Sequence, residues 1–565
     1  MATISEWRMG VWRDALVNRY NGTNPDASLI FTPIVVEQPP LDQTTTINHI
    51  HRLPVELLCR IFAFCAAEGA QYFQSGETSP RNWFSFTHVC RQWRIVAFDN
   101  PLLWTTPDFS RIRLVPLMLK NSRSVPLTLM AEIRCSKDSD AFLLALQHVS
   151  RTKTICLKCD GDEMNKIIPA LLQPAPLLRT LSLVCRDDTP ERAPVIPPNF
   201  LANNVSKLTS LTITNCRIHW DSLTLRDLSS LSIRVSPCRH HVLPVQEFVA
   251  VLRRMPRIQE LKLHGLRIQW EAGAHSPHAV SLRYLRYLEL GRDALRCASI
   301  LNHINIPSAA TIDLYCRFRE TPHHETRLCG LMLSLSHLFS RAHIVKSLVL
   351  KGATAHLDVY ANWESERDGC PLYPEINMRL VDGSGRLWRS WDAIVRGLAA
   401  ALPLNKLRHL SLSGTWDNFL RSSHTLLDCF GPSANVETIE VEGSRLHAIV
   451  AKTLAREQAE CRALTFFHSF HLRPNERESQ PPIDSPQNAL TFPHLRHLKL
   501  RHVANDRNSV FENYRKWLKV LLDSLMLRIE YGLLLSSLEF VNLTISARDI
   551  RAIEQIIGEG RKRPA

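Results

Sequence analysis

The sequence predicts an α/β protein of two unequal parts, a small helical unit near the start and then a long, irregular array of strands and return segments. Residues 51–65, HRLPVELLCRIFAFC, and 89–94, VCRQWR, read as short two-faced helices. Further along, apolar residues at positions 1, 4 and 6, followed by a turn, recur about every 30 residues. Composition is that of an ordinary globular protein, 45% hydrophobic and 22% charged, so apolar material suffices for a sizeable core.

A chain of 565 residues accommodates several domains or one repeat array. The net charge of +14 favours an acidic partner, nucleic acid included, but argues association and solubility rather than fold. Fifteen cysteines lack framework spacing, and the start, MATISEWRMGVWRDALVNRY, has no apolar signal region. Reduced thiols and an intracellular protein, cytoplasmic or nuclear, are expected. No apolar run approaches the roughly 18 residues of a membrane span. The best candidate, LLDSLMLRIEYGLLLSSLEF, is broken by Asp523, Arg528 and Glu530. A soluble protein with no membrane contact is expected.

In the helical unit, Pro54 suits a helix start because its missing N–H would be orphaned there, and Glu56 favours the positive end of the helix dipole. Leu57, Leu58, Ile61, Phe62 and Cys65 then form one face of a 3.6-residue period. Gly69 and the polar run QSGETSPRN are expected to end this helix in a loop. A second stripe, Phe86, Val89, Cys90, Trp93 and Val96, predicts another helix that stops at Asp99-Asn100-Pro101. Leu102, Leu103 and Trp104 follow as an apolar return. So few residues cannot bury that much Leu, Phe and Trp by themselves, so some of this surface is expected to meet another partner.

Leu53-Pro54-Val55-Glu56-Leu57-Leu58, Ile61-Phe62, Val89-Cys90-Arg91-Gln92-Trp93 and Pro101-Leu102-Leu103-Trp104 together resemble an F-box. The resemblance covers about a tenth of the chain. The insertion at 66–85 and the following WTTPDFSRIRLVPLMLKNSRSVPLTLMAEI are similar to F-box proteins of mushroom-forming fungi. It implies docking onto a Skp-type adaptor and, through it, a cullin. The residues implied to build or supply that adaptor surface are Leu53, Pro54, Glu56, Leu57, Leu58, Ile61, Phe62, Val89, Cys90, Trp93, Leu102 and Trp104.

The array reads LLRTLSL from Leu178, KLTSLTI from Leu208, DLSSLSI from Leu228, RIQELKL from Ile258 and YLRYLEL from Leu285. It continues with IVKSLVL at Val345, KLRHLSL at Leu407, NVETIEV at Val436, HLRHLKL at Leu495 and LSSLEF at Leu535. Weaker copies lie at Ile312/Leu314, Met378/Leu380 and Leu464/Phe466. This is the signature of an irregular, leucine-rich-repeat-like solenoid. Gly265, Gly352, Gly414 and Gly443 mark expected turns, and VQEFVAVLRRM and WDAIVRGLAAAL read as returning helices. The Asn or Cys expected at the repeat turn appears among these copies only as Cys216, so an uneven curve is expected.

The expected organisation is a partly disordered extension at 1–46, the F-box at 47–106 with a loop at about 66–85, and a connecting segment at 107–177. The repeats follow at 178–550 with a Pro-rich loop at about 470–489, and a basic tail at 551–565. Strand residues between the repeated apolar positions are expected on a concave face. The candidate substrate-binding residues there are Lys262, His264, Tyr287, Glu289, Asp313, Tyr315, His409, Glu440, Glu442, His497, Lys499 and Arg501. Mixed acids, bases and aromatics point to protein recognition rather than to nucleic acid.

No phosphate loop, dinucleotide fingerprint or nucleophile elbow appears. Cys156-Leu-Lys-Cys159 has metal-pair spacing without a second pair, so structural thiols on a strand are expected. No cofactor, metal or catalytic residue is expected. The resemblance implies a non-catalytic receptor subunit of a Skp–cullin–F-box (SCF) ubiquitin ligase, selecting a protein substrate. An F-box scaffold outside the ligase and a basic nucleic-acid-binding protein are the alternatives.

Overall fold

Alternating apolar and small polar residues, bounded by turns, favour strands with one buried face, and such strands dominate the chain from residue 127 onward. The computed structural model describes residues 53–75, 83–109, 111–188, 192–203, 207–220, 227–236, 242–269, 279–307 and 309–318. It also describes 324–339, 345–353, 356–362, 376–382, 391–414, 423–431, 435–443, 492–501, 510–530, 533–541 and 548–551, with single positions between 447 and 454 and at 553 and 555. The chain divides into two units, residues 1–57 and 58–565. The expected extension at 1–46, the Pro-rich loop, the weak copy at Leu464/Phe466 and the tail beyond 555 lie outside the described residues.

Helix α1 spans Val55–Ser75 and α2 spans Arg91–Asp99, with 3₁₀ turns at Trp83–His88 and Pro101–Trp104. The helix runs through Gly69, correcting the loop start expected at about residue 66. Ala66, Ala67, Glu68, Ala70 and Gln71 favour helix, and one glycine costs only about 1 kcal/mol against alanine. The second helix begins at Arg91, so Phe86 and Val89 lie outside it and the expected single stripe is divided.

Short helices α3 (Val115–Asn121), α4 (Ser136–Leu146) and α5 (Gly161–Ile167) accompany strands β1 (Leu127–Glu132), β2 (Thr152–Cys159) and β3 (Thr180–Cys185). The sheet thus begins within 107–177, which the sequence assigned to a connector. Next come β4 (Ser210–Thr214), β5 (Ser230–Arg234), α6 (Val245–Arg253), β6 (Glu260–His264), β7 (Tyr287–Asp293), α7 (Ala294–Leu301), β8 (Thr311–Phe318) and α8 (His324–Phe339). Strands β9 (Ser347–Ala353), β10 (His356–Asn362) and β11 (Ile376–Asp382) precede α9 (Trp391–Ala401), β12 (His409–Gly414) and α10 (Ser423–Phe430). Strands β13 (Thr438–Glu442) and β14 (His497–Arg501), helix α11 (Val510–Glu530) and β15 (Ser537–Val541) complete the main elements.

All fifteen strands form one sheet, ordered β1 to β8, then β11, β10, β9, then β12 to β15. Pairing is parallel except that β10 runs antiparallel to both β9 and β11. The chain therefore leaves β8, builds a three-stranded meander backwards and continues from β9 to β12. Two continuous apolar ladders fix the register. One runs Ile155, Leu181, Leu211, Leu231, Leu261, Leu288 and Ile312; the other runs Leu157, Leu183, Ile213, Ile233, Leu263, Leu290 and Leu314. Every member is buried, each contributing about 1.5–3 kcal/mol of transfer free energy.

Phe248 and Leu252 of α6, Cys297 and Leu301 of α7 and Ile394 and Leu398 of α9 join the same core. Among the described residues, helices thus cover one face of the sheet and leave the other open. The expected turn glycines divide into two kinds. Gly265 and Gly443 have φ of 76° and 127°, the left-handed region that glycine tolerates. Gly352 and Gly414 instead lie inside β9 and β12, directly paired. Beyond 550, Ile553 is buried in the core, so packed structure extends past the boundary drawn from the sequence.

Candidate functional site

Among residues 53–57, Pro54 immediately precedes α1, and its carbonyl accepts the Leu57 N–H at 3.0 Å. Leu53 is half-buried, while Pro54, Glu56 and Leu57 are exposed.

From residue 58 onward, the F-box resemblance resolves into a packed interior and exposed apolar side chains. Leu58 and Phe62 are each 1% exposed and Trp104 is 4% exposed. The Phe62 ring stacks on Phe86 with centroids 4.0 Å apart and meets Trp93 edge-on at 5.2 Å. Trp104 Nε1 donates to the Ala97 carbonyl at 2.9 Å. Cys90 caps α2, its Sγ accepting the Trp93 N–H at 3.4 Å. Asn100 Oδ1 accepts the Leu102 N–H at 3.2 Å and opens the last 3₁₀ turn.

Burial thus separates roles that the motif presents together. Leu58, Phe62 and Trp104 face the interior of the unit, with Trp93 and Cys90 half-buried. Ile61, Val89 and Leu102 are exposed at 43%, 58% and 64%. Phe64 and Ile95, also exposed, were not singled out in the sequence because the apolar stripe passes beside them.

The open face of the sheet carries the second set. Lys262, Glu289 and Asp313 align across β6, β7 and β8, and beside them runs the row His264, Gly291 and Tyr315. His264 Nε2 lies 2.6 Å from Glu289 Oε1, and the Tyr287 hydroxyl lies 3.2 Å from Asp313 and 3.3 Å from Glu289. Lys262 Nζ sits 5.0 Å from the centre of the Tyr287 ring, a cation–π contact. Burial raises Asp313 above the ordinary carboxylate range, with Glu289 reinforcing it and the Tyr287 hydrogen bond opposing it. Tyr287 is likewise raised, by burial first and then by the two carboxylates.

Strand order divides the expected concave set. His409, Glu440, Glu442, His497, Lys499 and Arg501 lie on β12 to β14, and three strands of the backward meander separate them from β8. At about 4.8 Å per strand, the gap from β8 to β12 is about 19 Å. In this second cluster Arg501 pairs with Glu440 at 2.7 Å, and Lys499 pairs with Glu539 at 3.0 Å. His409 is held below the ordinary imidazole value, chiefly by burial.

The meander fills the gap with side chains that the sequence reading missed. Arg379 makes two hydrogen bonds to Asp358, at 2.7 and 3.0 Å, and Lys351 lies 5.5 Å from the Tyr360 ring centre. Alternation in HLDVYAN was the available signal, but it falls outside the 1-4-6 pattern. Ser182, Thr212 and Ser232 form a neutral hydroxyl row on the N-terminal part of the same face. Cys156 opens toward this face while Cys159 is buried beside Cys185 on the next strand. Burial pushes the Cys159 thiol up to about 12. Among the described residues no group of three or more metal-ligating side chains occurs, and no helix is long and apolar enough to cross a membrane.

Comparison with known proteins adds one match: residues 50–110 correspond to the F-box-like family. No curated protein matches the chain.

Proposed function

We propose, from the F-box-like domain, that this chain is the substrate-recognition subunit of an SCF ubiquitin ligase. The domain docks a Skp-type adaptor, which links it to a cullin, and the open face of the sheet holds a protein substrate. The observation that carries the reading is the F-box-like match at 50–110, with bulky apolar side chains left exposed there. A partner covering Ile61, Phe64, Val89 and Leu102 would bury apolar surface at about 25 cal/mol per Å². The chain supplies no chemistry of its own in this reading. It holds a substrate lysine near a thioester-bound ubiquitin, replacing a bimolecular encounter by proximity.

We read the strand region as an irregular leucine-rich-repeat-like solenoid. Parallel strands coinciding with the 1-4-6 repeats support this, and the backward meander is its main irregularity. Its open face carries the mixed charges, hydroxyls and aromatics of a protein-binding surface, with Lys262, Tyr287, Glu289, Asp313 and Tyr315 central.

The test is co-purification of the full chain with a fungal Skp-type adaptor, comparing wild type with Ile61→Lys and Leu102→Lys. Both positions are exposed, so folding is expected to be retained. A 1:1 complex weakened at least tenfold in the variants supports docking. A folded wild type that ignores the adaptor ends the ligase reading. Adaptor binding without cullin recruitment ends the receptor role and leaves a scaffold.

A further inference from the structure

Parallel strands place their carboxyl ends along one edge of a sheet, where open α/β sheets commonly hold ligands. Along that edge, at the ends of β4 to β8, lies a cavity of about 370 Å³. This is near the lower end of small-ligand pocket volumes, suited to one side chain rather than to a length of backbone. Gly291 and the His264 ring are part of its lining. In the row His264–Gly291–Tyr315 the middle residue carries no side chain. A Cβ at Gly291 would fall 2.0 Å from His264 Nδ1, so the imidazole occupies space that only glycine provides.

The charged side chains on the cavity wall carry an excess of positive charge. Arg234, Arg296 and Arg317 line it against Asp188 and Asp293. Both carboxylates already accept hydrogen bonds within the fold. Asp188 Oδ1 accepts from Asn215 Nδ2 at 3.0 Å and from Ser236 Oγ at 2.7 Å. Asp293 Oδ1 accepts the Leu295 N–H at 3.0 Å, capping α7. Arg234 and Arg317 are exposed, and among the described residues neither has an ion-pair partner. Guanidinium groups gathered on one cavity repel each other when it is empty, and their forked donors match the oxygens of a carboxylate or phosphate.

We propose that this cavity is an oxyanion pocket that receives an acidic side chain, carboxylate or phosphate, of the protein bound on the open face. The identity of that protein as a substrate rests on the receptor reading above. The pocket's affinity for the anion does not. Lys262, Tyr287, Glu289 and Asp313 lie on the same strands, so a chain entering the pocket would also meet these groups. The neutral hydroxyl rows of β3 to β5 offer adjoining hydrogen-bond partners without opposing charge.

The experiment titrates the full chain calorimetrically, at low ionic strength, with three capped amino acids: N-acetyl-phosphoserine methylamide, N-acetyl-glutamate methylamide and neutral N-acetyl-serine methylamide. The same titrations are run on Arg234→Gln/Arg317→Gln and on Lys153→Gln/Lys406→Gln. The second variant removes equal charge from exposed positions away from the cavity. Expected is saturable 1:1 binding of at least one anion, weakened at least tenfold in the arginine variant, unchanged in the lysine variant and undetectable for the neutral compound. Phosphoserine alone binding identifies a phosphate pocket, and comparable glutamate binding identifies a carboxylate pocket. Absence of saturable anion binding, or equal binding by wild type and arginine variant, overturns the proposal. Adaptor capture on the same preparation separates the two readings. Lost anion binding with retained adaptor removes the pocket alone, whereas the reverse removes the ligase reading alone.

Discussion

Two tryptophans of the F-box-like domain show how equal residues carry unequal energies. Trp104 is buried and its indole N–H is bonded to the Ala97 carbonyl at 2.9 Å. Trp93 is half-buried, and its buried Nε1 has no hydrogen-bond acceptor among the described residues. Replacing Trp104 by Phe opens a cavity and leaves the Ala97 carbonyl with only the Asn100 N–H, at 3.4 Å, among the described residues, an expected cost of about 2–4 kcal/mol. Trp93→Phe keeps a ring against Phe62 and removes an unsatisfied donor, so the expected cost is below about 1 kcal/mol. Urea unfolding of both variants checks the contrast, and equal losses would refute it. The sequence identified both residues through the Cys-x-x-Trp and Pro-x-x-Trp spacings but could not assign these roles, because spacing does not reveal which carbonyl an indole will find. It likewise missed Arg234 and Arg317, although Arg317 continues the two-residue alternation of Asp313 and Tyr315. Their grouping depends on which strands become neighbours.

At the scale of elements, repeated apolar positions predicted strands well because a half-buried parallel strand needs those residues whatever its neighbour. Ten main copies correspond to ten strands, from β3 to β15. The same pattern says nothing about order. Local sequence does not encode which of β9, β10 and β11 joins β8, and β10 was missed because its antiparallel course breaks the copied phrase. The meander is held in part by Asp358 and Arg379. Asp358 is 7% exposed, so removing Arg379 leaves a nearly buried carboxylate whose remaining partner among the described residues is the more distant His356 nitrogen, at 3.7 Å. Arg379→Ala is expected to cost about 1–3 kcal/mol. Asp358→Asn should cost less, since Arg379 reaches water, and the double variant should recover part of the Arg379→Ala loss. A double-mutant cycle by chemical unfolding measures this coupling, and additive single effects would rule it out.

Over the whole molecule, one buried and two half-buried histidines tie stability to pH. His148, His303 and His409 are each held below the ordinary imidazole value of 6.5, burial being the first cause. In the unfolded chain they take up protons near that value, while in the folded chain they do so only at lower pH. Their stabilising contribution is therefore present above about pH 6.5 and is lost as pH falls toward their folded values. Asp313, raised by burial, acts oppositely: its destabilisation grows as pH rises above the ordinary carboxylate value of 3.8. The expected result is a Tm that falls between pH 7.5 and 5.5, with a shallower fall in His409→Gln. Thermal melts across that range check it, and a flat wild-type profile would contradict it.

The backward meander also determines how the molecule can come apart. Elsewhere, successive strands lie side by side, so force applied at the carboxyl end can peel β15, β14 and β13 away in turn. At β12 that sequence ends. Releasing β9 exposes the edge of β10, whereas β11 remains paired to β8 and connects through α9 to a strand already removed. The three strands must detach as a hairpin-bearing block or re-pair on the way. A pulling trace from the carboxyl end should therefore show small, regular steps interrupted by one long dwell and one large extension. The reversed strand order is thus a mechanical stop within an otherwise progressive unzipping.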